Sequence, residues 1–292
     1  MSRTLILALL LACSAVSGAD LNSKVTRIMD RRSGTAIVAD VRYGKLLAFY
    51  RPDIAARRLV RPGSAFKPFV LLALLGSGKL KPTESLVCIR NLHVGNHDLS
   101  CSHPPTGPLD ATEALAYSCN DFFATFGLRL SAAELQDAFD KAGFASPTGF
   151  LPGEAEGSIR RAQTDEERQL QAVGEGELRI TPLEMLAAYR TLALRRTNSA
   201  TSATDEAVFA GLEQSAAYGM ARLAAIPVIK VAGKTGTPQA EDGSWTHGWF
   251  AGYAPADKPE IVVVVFLERG DGPGDAAPLA SEIFRAWYMT SK

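Results

Sequence analysis

Apolar residues follow two rhythms along the chain. Near both ends they form short runs suited to strands. Thr35 to Asp40 and Lys45 to Tyr50 flank Arg42-Tyr43-Gly44 and read as a hairpin. Three more strands follow late in the chain: Val228 to Ala232 with the residues after it, Trp249 to Tyr253, and Ile261 to Leu267. The last is unbroken in its apolar character, as in a strand covered on both faces. The middle reads as helix. The run Phe69 to Leu75 sits between Pro68 and the stops Gly76 and Gly78. Asp110 with Glu113, Ser131 with Glu134, and Thr181 with Glu184 are capping boxes, and Gly143 is a natural stop for a helix over about Ala132 to Ala142. Asp121 could cap a helix carrying Phe122, Phe123 and Phe126. Glu206 to Arg222 and Pro278 to Tyr288 complete the helices. Strands in sequence with short links predict an α+β fold of three layers: an antiparallel sheet (about 30–62 and 224–292), flanking helices, and an inserted all-helical part (about 63–223).

The opening residues change where this body is expected to reside. Arg3 precedes the uncharged run Thr4 to Ala19, too short to span a bilayer comfortably. Ser17-Gly18-Ala19 suits cleavage before Asp20, so residues 1–19 read as a signal peptide and 20–292 as the exported domain. Leu10-Leu11-Ala12-Cys13 gives a second reading, a lipoprotein signal with lipid on Cys13 as a membrane tether. An uncleaved anchor is the third reading, and in every version the periplasm or cell envelope is expected. In that oxidising setting Cys88 and Cys101 are expected to form a disulfide. His93, His97 and His103 share this insert, so a zinc site is conceivable, but the spacing matches no standard ligand pattern and export favours the disulfide; no metal and no cofactor are therefore the expectation. Of 292 residues 47% are hydrophobic, and 31 basic balance 31 acidic side chains without a basic cluster. Nucleic acid is thereby excluded as a partner.

Three short motifs carry candidate chemistry. Ser64 and Lys67, three apart at a helix start, place a hydroxyl and an amine on one face, where free N–H groups favour a developing anion. Ser118-x-Asn120 supplies a hydroxyl and an amide, though helix capping is the commoner use of such residues. Gly233-Lys234-Thr235-Gly236-Thr237 offers a cation and two hydroxyls on an extended edge; a Lys protecting an edge strand is the plainer explanation.

Together, in this order, the motifs resemble those of the penicillin-binding proteins and serine β-lactamases: Ser-x-x-Lys, Ser-x-Asn, Lys-Thr-Gly. Thr35–Tyr50, Gly149–Gly157, Gly174–Leu183 and Gly248–Pro255 are similar to penicillin-binding transpeptidase sequence as well. The resemblance implies a β-lactamase/transpeptidase-like fold. It also implies that Ser64 attacks the carbonyl between the last two D-alanines of a peptidoglycan stem peptide. Lys67 would be the base and Ser118 the proton relay. Lys234, Thr235, Gly236 and Thr237 would hold the substrate carboxylate, Asn120 an amide, and the N–H groups of Ser64 and Thr237 the oxyanion. β-Lactams would acylate the same oxygen. Class A β-lactamases place a Glu between the second and third motifs. Glu154 and Glu156 lie there, but Pro152-Gly153-Glu154 resembles a transpeptidase loop. The expected order is therefore D,D-transpeptidase, then D,D-carboxypeptidase, then β-lactamase. A non-catalytic β-lactam-binding or scaffold protein is the reading from another class, and a partner in the cell-wall machinery is left open.

Overall fold

A computed structural model describes residues 20–104, 106–197 and 202–291. Residues 1–19, expected to be a signal peptide, and Cys13 among them, lie outside these residues. In chain order come a helix over residues 20–28 (α1), the hairpin β1 (Gly34–Asp40) and β2 (Leu46–Tyr50), and α2 (Pro52–Arg57). A 3₁₀ turn over Gly63–Phe66 leads into α3 (Lys67–Gly76). An insert with the two-residue strands β3 (His93–Val94) and β4 (His97–Asp98) precedes α4 (Ala111–Ala116), α5 (Asn120–Gly127) and α6 (Ala132–Lys141). Next are β5 (Ser158–Ile159), α7 (Asp165–Ala172), β6 (Leu178–Arg179), α8 (Pro182–Thr197) and α9 (Ala203–Ala217). The chain closes with β7 (Ala232–Gly236), β8 (Gly248–Ala254), β9 (Ile261–Leu267) and α10 (Ala277–Ser291).

The main sheet is antiparallel with strand order β2-β1-β9-β8-β7. Its central strand shows why the apolar run is unbroken. Alternate side chains leave a strand on opposite faces, and both faces of β9 are packed. Val262, Val264 and Phe266 join one core with α3 and α8, while Val263, Val265 and Leu267 join a second with α1 and α10. Burying each such side chain contributes roughly 1.5–3 kcal/mol. The expected fold class is thus the observed one: helices, sheet, and a helical region between the two halves of the sheet.

Two local expectations are corrected. The late strand begins at Ala232, not Val228, because Ile226 and Ile229 bridge each other across a turn. The Lys-Thr-Gly motif is therefore on the strand itself. The α5 cap is Cys119, whose sulfur accepts from the Phe122 N–H, and Asp121 lies within the first turn. The three capping boxes are present as read.

Candidate active site

The 3₁₀ turn bearing Ser64 is fixed by its neighbours on every side. Gly63 adopts φ +54°, which favours glycine, and Pro68 denies the helix a bond back to Ser64. The Gly63 N–H donates to Gly174 O at 3.0 Å, Tyr189 OH to Ala65 O at 2.9 Å, and Trp249 Nε1 to Arg61 O at 3.0 Å. The edge strand β7 passes so close that a Cβ on Gly236 would lie 2.5 Å from Pro62 O.

Lys67, the first residue of α3, is fully buried. Its Nζ donates to Ser118 O at 2.7 Å, Ser118 Oγ at 3.2 Å and Asn120 Oδ1 at 2.5 Å. The second motif is therefore bound directly to the first. Ser118 takes φ +59°, uncommon for a residue with a side chain. Asn120 Nδ2 donates to Leu99 O at 2.8 Å, which leaves its second amide hydrogen for another acceptor. Burial lowers the Lys67 pKa to about 8 against the opposing pull of Cys101, Cys119, Glu175 and Cys88. Burial, and then the charge of Lys67, hold Lys234 well below the ordinary lysine range. The Lys234 ammonium donates to Thr235 O at 3.1 Å. An arriving carboxylate would supply the counter-charge this buried cation needs.

Ser64, Ser118, Asn120, Thr235, Gly236 and Thr237 line one cavity of about 600 Å³. Lys67 and Lys234 stand just behind this wall. The structure thus brings all eight motif residues to one place. The Thr237 hydroxyl is already engaged, accepting from the Gly272 N–H at 3.0 Å.

Sequence reasoning missed two features. Glu175 lines the same cavity, on the Gly174–Gly176 turn whose first residue bonds to Gly63. Burial raises its carboxyl to about 7, opposed by Arg61, 3.8 Å away, Arg179 and Lys67. Glu154, the acid weighed from sequence, instead ties its own loop together, accepting from Thr148 and Leu151. Two flanking glycines were the only signal for Glu175, and they mark just a tight turn.

The second feature corrects the disulfide expectation. Cys88 and Cys101 are free thiols. With His103 and Cys119, their ligand atoms all lie within 4.8 Å of one another, a set able to hold a metal. Cys101 faces Cys119, with sulfurs 3.9 Å apart. The insert folds back onto the start of α5, so a third thiol arrives from outside the loop that the proposed bridge would close.

Residues 34–288 match the family model for the penicillin-binding protein transpeptidase domain. Peptidoglycan D,D-transpeptidase MrdA of Acinetobacter baumannii is 27% identical over 238 residues, which cover 64% of this chain and 35% of that protein. Peptidoglycan D,D-transpeptidase PbpA of Mycobacterium tuberculosis is 25% identical over 269 residues, 77% of this chain and 54% of that one. The chain thus spans about a third to a half of these relatives' length. Among solved structures, the D,D-transpeptidase domain of a peptidoglycan glycosyltransferase from Eggerthella lenta superposes with TM-score 0.81 at 22% identity, covering 93% of this chain and 81% of that one. Penicillin-binding protein PBP2 from Helicobacter pylori gives 0.82 at 21%, covering 92% and 62%.

Proposed function

From the premise that the chain belongs to the penicillin-binding protein transpeptidase-domain family, we propose that it is an exported serine D,D-transpeptidase of cell-wall peptidoglycan. The observation that carries this reading is the buried Lys67 ammonium, three residues after Ser64, held by Ser118 and Asn120. A base with a pKa of about 8 is matched to taking a hydroxyl proton near neutral pH. Ser64 Oγ then attacks the carbonyl of the penultimate D-alanine, and its proton passes to Lys67. Ser118 Oγ, 3.2 Å from that amine, carries a proton on to the leaving D-alanine nitrogen. The product is an acyl ester on Ser64, which an amine from a neighbouring strand resolves. Lys234, Thr235 and Thr237 hold the terminal carboxylate, and the free Asn120 amide hydrogen holds a substrate carbonyl. The Ser64 and Thr237 N–H groups take the oxyanion; losing one such donor costs about 3–4 kcal/mol of transition-state stabilisation.

A second reading, the carboxypeptidase one, is favoured by Glu175. A carboxylate with a pKa of about 7 beside the nucleophile turn can draw a proton from water and so release the acyl group by hydrolysis. The same step on a penicilloyl ester would be β-lactamase action.

Residues 1–19 serve export in this proposal. Among the described residues no helix is long and apolar enough to cross a membrane; lipid on Cys13 is the tether this proposal offers. A protein of like fold has been solved as a complex between penicillin-binding protein PBP2 and MreC from Helicobacter pylori. We extend this to a partner in the cell-wall machinery here.

The test is covalent labelling by a fluorescent penicillin. Wild type is labelled, and Ser64→Ala is not. An unlabelled, folded wild type returns the protein to the scaffold reading. An adduct that lasts hours indicates a transpeptidase, and turnover in seconds a β-lactamase.

A further inference from the structure

We propose that Glu175 serves the second half-reaction: it receives the acceptor as a primary ammonium and takes its first proton. The role rests on the transpeptidase reading above and gives the chemical class of that enzyme's second substrate.

An ammonium that ends as an amide nitrogen loses two protons. Lys67 is a neutral amine in the acyl-enzyme, since the proton it took from Ser64 left with the D-alanine. It can take one proton from the attacking nitrogen through Ser118 and return it to Ser64 Oγ as the ester C–O bond breaks. The other proton must go to a second base before the nitrogen lone pair is free to bond the carbonyl carbon. Glu175 takes that proton and later gives it to water, and nothing is oxidised or reduced.

Among the described residues the cavity wall offers His97, Asp98, Glu175 and Glu241 for this task. His97 and Asp98 lie exposed on β4, and Asp98 Oδ1 already accepts from the Ser100 N–H and hydroxyl at 3.0 and 2.6 Å. The Glu241 side chain is 65% exposed and tied down. Arg179 donates to it from Nε and Nη2 at 2.7 and 2.8 Å, and Arg61 Nη2 stands 3.5 Å away. The Glu175 side chain is only 18% exposed, and among the described residues its carboxylate accepts no hydrogen bond. Its one ion-pair partner, Arg61 Nη1, stays 3.8 Å away and donates instead to Gln239 O at 3.1 Å. A half-buried carboxylate left unspent favours a cation, because an ammonium returns both the hydrogen bonds and the counter-charge that burial removed. Burial raises its pKa to about 7 against Arg61, Arg179 and Lys67, so near neutral pH it is both ionised and basic.

Glu241 is what leaves Glu175 unspent. Its oxygens fill the Arg179 fork and draw Arg61 toward the β7–β8 loop. Without it both guanidinium groups are free to turn on Glu175 and hold it as an ion pair. Glu241 is therefore a positioning residue.

The full chain is loaded with a small thioester of an N-acyl-D-alanine, and intact mass follows the ester on Ser64. Ethanolamine, a cation at neutral pH, and hydroxylamine, which is uncharged there and has one proton to lose, are the acceptors. Glu175→Gln should lose about a hundredfold in the ethanolamine rate and keep most of the hydroxylamine rate, and Glu175→Asp should recover part of the loss. In wild type the ethanolamine rate, divided by that of uncharged hydroxylamine, should rise roughly fourfold from pH 6.5 to pH 8 as Glu175 ionises, and then level. Glu241→Ala should flatten this rise, because Glu175 is then held ionised throughout; an unaltered rise overturns the positioning role. Equal loss with both acceptors overturns the proposal, and so does an unchanged ethanolamine rate beside slowed hydrolysis, which would leave Glu175 serving water alone. A ratio that climbs about tenfold per pH unit through pH 8 also overturns it, since free amine from solution then attacks unaided. The ester mass, read first, shows that each variant is folded and loaded. A wild type that forms no ester sinks the transpeptidase reading itself, so the two failures are told apart.

Discussion

If Lys67 is the base, acylation of Ser64 must follow the free amine of that one side chain. Burial brings its pKa to about 8. About a tenth is then unprotonated at pH 7, half at pH 8 and about nine-tenths at pH 9. The second-order rate of acylation by a fluorescent penicillin should rise about tenfold from pH 7 to pH 9 and level off. The sign follows from the role: a base works deprotonated, so rate grows with pH. Stability moves the same way. A lysine whose pKa falls from 10.5 to about 8 costs the fold roughly 3 kcal/mol below pH 8. That cost is relieved as pH climbs from 8 past 10.5, because the unfolded chain binds the extra proton in that window. Stopped-flow fluorescence over pH 6 to 10, with thermal melts at each pH, measures both. Lys67→Arg keeps a cation but cannot accept a proton, and should lose at least about a hundredfold in rate. A flat rate profile, or an arginine variant as fast as wild type, would refute Lys67 as base.

Glu175→Gln should lengthen the life of the penicillin adduct roughly a hundredfold and abolish a rise in adduct decay centred near pH 7; an unchanged lifetime, followed by intact mass spectrometry, excludes Glu175 from hydrolysis. Gly174→Ala puts a methyl group 1.9 Å from Gly63 O at φ +84°. It should cost roughly 1–3 kcal/mol and slow acylation by displacing the Ser64 turn; a variant matching wild type in both Tm and rate contradicts that packing. Glu184 accepts from the Ser146, Gly157 and Thr181 N–H groups at 3.1, 3.0 and 2.6 Å. Glu184→Ala strands three donors, should cost roughly 3 kcal/mol or more, and should lower Tm by about 6–12 °C. A calorimetric shift within about a degree would show those donors find other partners.

The elements legible in the sequence are those whose side chains carry their own pattern. The apolar run of β9 announces a strand covered on both faces. Asp110, Ser131 and Thr181 announce helix starts, because a cap is a local bond. The sequence pattern starts β7 four residues early, at Val228 rather than Ala232. Gly233, Lys234 and Gly236 have little strand preference, and only pairing with β8 makes them extended. Glu175 and the Cys–His cluster were opaque for a related reason. Glu175 matters because its turn docks on Gly63, far away in sequence. The thiols meet because the insert returns to α5, and a disulfide guess from nearest cysteines could not include Cys119. Motifs named the chemistry; long-range docking chose the remaining wall of the cavity.

The Ser64 turn is bonded to both halves of the molecule at once. Gly174 and Tyr189 hold it from the helical side, and Trp249 and β7 from the sheet side. The nucleophile therefore sits at a weld rather than a hinge. The halves cannot swing apart to admit a larger guest without dragging the reacting oxygen off its mark. Bulk must be accommodated at the rim, where residues 96–100, 239–241 and Gly243 line the cavity. Variation in substrate size among enzymes built this way should accordingly be written in those rim loops, while the weld stays unaltered.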